Sequence, residues 1–328
     1  MTRPTSASGR PLGNRWLGFL LRRTGRMLVA MWVIVTVAFL VLRIAGGDPV
    51  RSALGATADE SVVQARREQL GLNDPLLLQY LDYLSGLFRG DLGVSLITGR
   101  SVTELVSHRL PATLELAGIA FLAVLLVAVP VGLGIAIITQ GNGRRGTEMA
   151  FTGVTAFIAA IPEYLLGVVL VIVFAITLHA LPVAGRTGPA SYLLPVIALS
   201  VSAAASIARI ARIEALNTLK DDYVRTARSK RLPAWMIYFR HALPNMLTAT
   251  LTIGGTLLAA MIAGSVLVEQ VFNWPGLGTA FVGAITTKDY GIVQGLALVY
   301  AAIILVVNLL VDLVLSLLDR RTSLLETS

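Results

Sequence analysis

Apolar residues fall along this chain in long runs nearly free of charge, separated by polar stretches of unequal length. Six such runs can be drawn, at about 26–46, 112–139, 149–178, 191–212, 247–268 and 291–317. Each can form a helix that crosses the ~30 Å hydrocarbon core of a bilayer, for which about 20 residues suffice. The pattern predicts an all-α membrane protein with six transmembrane helices. Pro130 predicts a bend in the second run, and Pro162 with Glu163 interrupts the third. Such prolines are tolerated where neighbouring helices satisfy the freed carbonyls. Arg43 lies near the far end of the first run, where its side chain can snorkel to the headgroups. That run begins like a signal peptide. Its apolar stretch from Met27 to Leu42 is longer than a signal core, however, and it ends in Leu-Arg-Ile rather than at a small-residue cleavage site, so it reads as an uncleaved first helix.

Two polar stretches have patterns of their own. In residues 47–111, Asp59 to Leu70 is helical in pattern, and Leu76 to Phe88 is an amphipathic helix carrying Tyr80 and Tyr83. This predicts a helical extracytoplasmic segment, either lying along the headgroups or capping the mouth of a pathway and touching a soluble partner. Residues 209–245 form a charged island, with a cytoplasmic loop over 213–245, next to two stretches without Asp, Glu, Lys or Arg, Thr187–Ala208 and His241–Val268. Within it Ile213, Leu216 and Leu219 share a helical face, as do Val224, Ala227 and Leu232, with Arg228, Lys230, Arg231 and Arg240 among them. A polar helical hairpin at a membrane face can be grasped by a soluble partner; a solvated, orientation-setting loop is the plainer alternative.

Composition narrows the class. Hydrophobic residues make up 55% and charged residues 14%, against about 25% charged in soluble domains, and mean hydropathy is +0.75. The net charge of +8 comes from basic residues at the ends of apolar runs, with no aromatic stacking pattern among them, which speaks against nucleic acid as a partner. With the N terminus inside, 18 Lys and Arg fall on the cytoplasmic side and 8 outside. The positive-inside rule then puts both termini, the tails 1–25 and 318–328, in the cytoplasm of a multi-pass membrane protein. Absence of Cys excludes disulfides and thiolate chemistry, and His108, His179 and His241 are isolated, so no metal site is expected. No GxxxxGK[ST] motif occurs, so this chain is not expected to hold ATP in the usual way.

The motifs are ordered. Asp222-Tyr223-Val224-Arg225-Thr226-Ala227-Arg228-Ser229-Lys230, followed by His241-Ala242-Leu243-Pro244-Asn245, resembles the coupling loop of inner-membrane permeases of ATP-binding-cassette importers, in the dipeptide/oligopeptide/nickel branch. Gly47-Asp48-Pro49, Leu70 to Pro75, Arg89 to Gly93, Arg109 to Glu115, Val271 to Gly278 and Asn308 to Asp312 match that branch in order, over residues 24–321. The resemblance implies a type I importer permease fold with a core over 112–317, and a role for Asp222, Tyr223, Arg225, Thr226, Ala227, Arg228, Lys230 and Arg231 in coupling to an ATPase. It implies the bacterial inner membrane as location, a second permease, two cassette ATPases carrying ATP and magnesium, and an extracytoplasmic substrate-binding protein. Short peptides are the expected cargo, with nickel chelates or another small solute as alternatives. The family has Gly where this chain has Arg231, a substitution that costs strain if the position needs positive φ.

Few residues offer chemistry inside the spans. Glu163 lies mid-run, where an unpaired carboxylate is expensive; it either lines a pathway with Tyr164 and receives a cationic cargo end, or holds neighbouring helices by a hydrogen bond. Asp312 suits an interhelical contact. Trp274, before a Pro-Gly pair, either anchors at the interface or shapes the substrate route. A self-contained proton-coupled transporter would use Glu163 and Asp312, and six runs without an internal repeat do not favour it. An intramembrane hydrolase would want a paired Asp or a Ser/His couple, and the runs carry neither.

Overall fold

The computed structural model describes residues 12–45, 48–55, 57–141 and 144–318, which form helices, one isolated bridge from Val94 to Ser101, and no strand. The tail up to residue 11, Gly47 and residues 319–328 lie outside the described residues, as does the side chain of Arg43. The helices are α1 (Leu12–Ala45), α2 (Pro49–Leu54), α3 (Glu60–Gln69), α4 (Leu76–Phe88), α5 (Val102–Thr139), α6 (Arg145–Ala159), α7 (Glu163–Leu170), α8 (Leu193–Thr218), α9 (Asp222–Ser229), α10 (Ala234–Met236), α11 (Leu243–Val271), α12 (Leu277–Thr286) and α13 (Tyr290–Leu318). π-helical turns continue α7 over Val171–Thr177 and join α10 to α11 over Ile237–Ala242.

Among the described residues five helices, α1, α5, α8, α11 and α13, contain stretches long and apolar enough to span a bilayer. The third run is a sixth span only as a broken pair, because α6 and α7 meet at 86°. Pro162 causes the break: it has no N–H, and it stands extended at φ −61° and ψ 137° as the residue before α7. Pro130, by contrast, lies inside an unbroken α5 of 38 residues. That helix begins ten residues before the expected start of its span, because the Ser101 hydroxyl accepts from Thr103 N–H at 3.2 Å and caps it.

The core is small-residue packing. Leu116, Ala120, Val124, Ala128, Gly132 and Ala136 recur every fourth residue of α5, and all are buried, chiefly against α8. A Cβ on Gly132 would stand 2.6 Å from that of Ala211, so glycine is what lets these backbones approach. α11 packs on α5, α8 and α13 from the other side. There a Cβ on Gly255 would meet Val311 at 2.1 Å. α1 and α13 are peripheral, with 11% of each apolar stretch buried against 44% for α8. An ion pair between Arg23 of α1 and Asp312 of α13 fastens them to each other.

Short helices fill the stretch between α1 and α5. The Asp48 side chain caps α2 at Val50 N–H (3.1 Å) and takes the Arg67 guanidinium of α3 at 2.5 Å. Residues 91–95 lie against the start of α13. Gly291 and Gly295 make room there for the carbonyls of Val94 and Leu92, which a Cβ would meet at 2.2 and 2.8 Å. The Ser95 hydroxyl donates to the Asp289 carboxylate from the same side.

Candidate functional site

The charged island folds as a shelf on the ends of the spans. Val224 and Ala227 point inward from α9 onto Leu219, Ile237 and Ala242. Asp222, Tyr223, Arg225, Thr226, Arg228, Lys230 and Arg231 point outward, together with Trp235 and Phe239, each 61% exposed. Ala227 is 5% exposed and belongs to the base of the shelf, so it offers no side-chain contact to a partner. The motif grouped it with its outward neighbours, while the helical face it shares with Val224 and Leu232 set it apart, and that face packs inward.

α9 ends in a tight turn. Leu232 N–H donates to Ala227 O at 3.2 Å and Arg231 N–H to Arg228 O at 2.9 Å, with Arg231 at φ 53°. This is the left-handed C-terminal cap in which glycine is usual. The strain expected of Arg at this position is therefore present. Below, the Arg228 guanidinium donates to Gln140 Oε1 (3.0 Å), and Gln140 Nε2 donates to the Tyr238 hydroxyl (3.0 Å). Arg212, 8% exposed in α8, donates to Thr139 Oγ1 at 3.2 Å and pairs with Glu148 at 2.9 Å. α5, α6 and α8 are thus tied together directly under the shelf.

Glu163 is not mid-helix. The break makes it the first residue of α7, where the helix N-terminus favours a carboxylate. The break is held by Ser202 of α8, whose hydroxyl donates to Ile161 O at 2.8 Å. The Glu163 carboxylate lies beside Gly264 of α11, 3.2 Å from where a Cβ would be. Next to it α11 leaves Thr252, Thr256, Ala260, Ala263, Leu267 and Gln270 exposed at helical spacing, and Tyr164 is 45% exposed nearby in sequence. Ala260 and Ala263 are therefore open to a neighbour, whereas Gly254, Gly255 and Ala259 are buried inside the chain.

Trp274 is fully buried, which rules out both an interfacial ring and a pathway lining. Its Nε1 donates to Ala112 O at 3.0 Å, and its ring meets Tyr192 edge-on at 4.7 Å. The turn it belongs to is built around Glu269, a residue the sequence placed in a loop but gave no role. Glu269 is 0% exposed; it accepts from Gly278 N–H at 2.7 Å and from the Ser265 hydroxyl at 3.3 Å. Thr113 Oγ1 accepts from Leu277 N–H at 2.8 Å, and Arg109 donates to Gly276 O at 3.3 Å. The motifs at 109–115 and 271–278 are thus one structure. The signal for Glu269 was a carboxylate directly after 28 residues without charge. Among the described residues no group of three or more His, Asp or Glu comes together that could hold a metal ion.

Comparison with known proteins agrees with this architecture. Residues 128–324 match the family "binding-protein-dependent transport system inner membrane component", and residues 16–117 match the N-terminal region of such membrane components. The chain is 37% identical over 311 residues to a probable peptide ABC transporter permease of Sinorhizobium fredii, covering 92% of this chain and 98% of that one. It is 31% identical to a glutathione transport system permease of Salmonella typhimurium, covering 90% and 95% of the two. In fold it is similar to a chain of the MetNI methionine ABC transporter in an inward-facing conformation, with a TM-score of 0.54 at 18% identity, covering 66% of this chain and 97% of that chain. The chain belongs to the binding-protein-dependent transport system inner membrane components, and it is a permease subunit of an ABC importer rather than an enzyme.

Proposed function

We propose that this permease forms half of the transmembrane pathway of an importer of short peptides, driven by ATP hydrolysis on cassette subunits that dock on α9. The observation that carries the docking is the shelf itself. Seven of the eight coupling-loop residues face outward from a base of buried apolar contacts and ion pairs, so a push on α9 is delivered to α5, α6 and α8. Peptides are favoured as cargo by the relatives named for peptide and for glutathione, itself a tripeptide. The remaining subunits are a second permease, two ATPases that bind ATP and magnesium, and an extracytoplasmic binding protein. The distribution of Lys and Arg supports a cytoplasmic shelf and cytoplasmic termini. Arg225→Glu reverses an outward charge without touching the base. In the reconstituted importer it should cut transport at least about tenfold while membrane insertion is kept, and wild-type uptake would sink the docking surface.

The pathway face is the α11 stripe with Glu163 and Tyr164. Thr252, Thr256, Ala260 and Ala263 there give a cargo room and hydrogen bonds beside the bulkier Leu267 and Gln270, and Glu163 supplies the only charge among those residues. Glu163→Gln keeps hydrogen bonding and removes the charge. Uptake of peptides with a free N-terminal ammonium should fall, with expression and basal ATP hydrolysis intact. Equal uptake of free and N-acetylated peptides by both wild type and variant would leave Glu163 a packing residue.

A further inference from the structure

α4 carries apolar side chains that its own chain leaves uncovered. Leu77 is 69% exposed, Leu81 51% and Phe88 91%. At about 100° per residue they share a sector of about 40° on the helix. The adjoining sector is fastened to α1: the Tyr80 hydroxyl lies 2.7 Å from Thr36 Oγ1, and the rings of Tyr80 and Tyr83 pack on Phe39 at 5.3 and 5.7 Å. A third sector carries Asp82 and Ser85, both exposed, with Leu78, 52% exposed, between them. A helix divided in this way faces protein, water and one further, apolar neighbour.

Depth identifies that neighbour. α1 is a membrane span whose apolar stretch ends at Leu40 by hydropathy, or at Leu42 before Arg43. At 1.5 Å per residue, Thr36 stands about 6 to 9 Å inside that end. Amphipathic helices seat their apolar faces about 5–10 Å into the headgroup–acyl boundary, which is the same level. Flanking Thr36 on α1, Val33, Val37 and Leu40 are exposed and apolar, so one apolar surface continues from span to helix. A soluble protein arriving from the water would meet Asp82 and Ser85 instead. We infer that Leu77, Leu81 and Phe88 are immersed in the acyl chains of the leaflet at the C-terminal end of α1, so that α4 is a lipid anchor. The anchor fixes the height at which residues 48–101 stand over the bilayer, with the Tyr80–Thr36 contact as its depth stop. Only the name of that leaflet, the outer one, rests on the orientation proposed above.

The chain has no cysteine, so single cysteines can be labelled without background. An environment-sensitive fluorophore is placed at Leu81→Cys, Phe88→Cys or Asp82→Cys in the full chain, reconstituted in phosphatidylcholine vesicles containing shallow spin-labelled lipid. Lipid quenching at 81 and 88 should exceed that at 82 by about threefold or more, as immersion requires, with aqueous iodide showing the reverse order. Iodide quenching at 81 and 88 equal to that at 82 would overturn the anchor. So would protection that arises only when a substrate-binding protein is added, which would make this face a protein contact.

Discussion

Arg231 is a residue whose cost was legible from chemistry alone. A non-glycine side chain at φ 53° carries a left-handed penalty of roughly 1 kcal/mol. Arg231→Gly should relieve most of it and raise amide protection across α9 in hydrogen exchange. No change would mean that contacts of the Arg side chain offset the strain. Ala227 shows what a motif conceals and the helical period reveals. Inward and outward positions alternate within one short helix, and a motif does not say which of its members make the contacts. Ala227→Glu would bury a charge against Val224 and Ile237, at several kcal/mol. It should therefore lower the yield of folded protein, and uncoupling in that variant would report a collapsed shelf rather than a lost contact. Arg225→Glu, which loses only the exposed pair with Asp222 and should fold normally, separates the two effects. Glu163 was visible as an unusual carboxylate, but the right-angle break that makes it a helix N-terminus depends on Ser202 and α8, nearly forty residues away in sequence.

At the level of elements, the apolar runs foretold helices wherever hydropathy was sustained, while their ends and breaks followed local hydrogen bonding. Ser101 extended α5 beyond its span, and Pro162 cut the third run where Pro130 did not cut the second. The turn from Glu269 to Gly278 was legible as a turn, but its burial was not, because its partners Ala112 and Thr113 lie on another helix. Gly276 has no room for a side chain, since a Cβ would stand 2.2 Å from Glu269 Oε2 and 2.6 Å from Thr113 Oγ1. Gly276→Ala should destabilise the protein by about 1–3 kcal/mol through overpacking. Glu269→Leu should do at least as much, because it strands the Gly278 N–H, an unpaired buried donor worth about 1–3 kcal/mol. Glu269→Gln keeps an acceptor and should fall well short of that loss. Thermal unfolding in detergent ranks the three, and a Gln variant as unstable as Leu would show that the carboxylate charge, rather than its hydrogen bonds, holds the turn.

Across the whole molecule, α5, α8 and α11 make a tight core, α1 and α13 pack at its edge, and one face of α11 is left open with small and hydroxylated side chains. Lipid would gain less from such a face, where Thr256, Ala260 and Ala263 dilute the apolar area of Ile253 (44% exposed) and Leu267 (51%), than from α5, where Leu126 is 75% and Leu122 59% exposed. Under the proposed function, two exposed surfaces of different chemistry would have two different neighbours, with α5 toward lipid and α11 toward a second permease and the water-filled route between them. Because the chain has no cysteine, Ala263→Cys, Thr256→Cys and Leu126→Cys can be compared directly in the assembled importer with a membrane-impermeant thiol reagent. Modification should be fast at 263 or 256, should change when ATP is supplied as the pathway alternates its access, and should be absent at 126. Preferential reaction at 126 would exchange the two faces and move the pathway to α5. Protection of all three positions, with 256 and 263 cross-linking to the second permease, would make the α11 stripe a dry subunit interface and leave Glu163 at its edge without a cargo to receive.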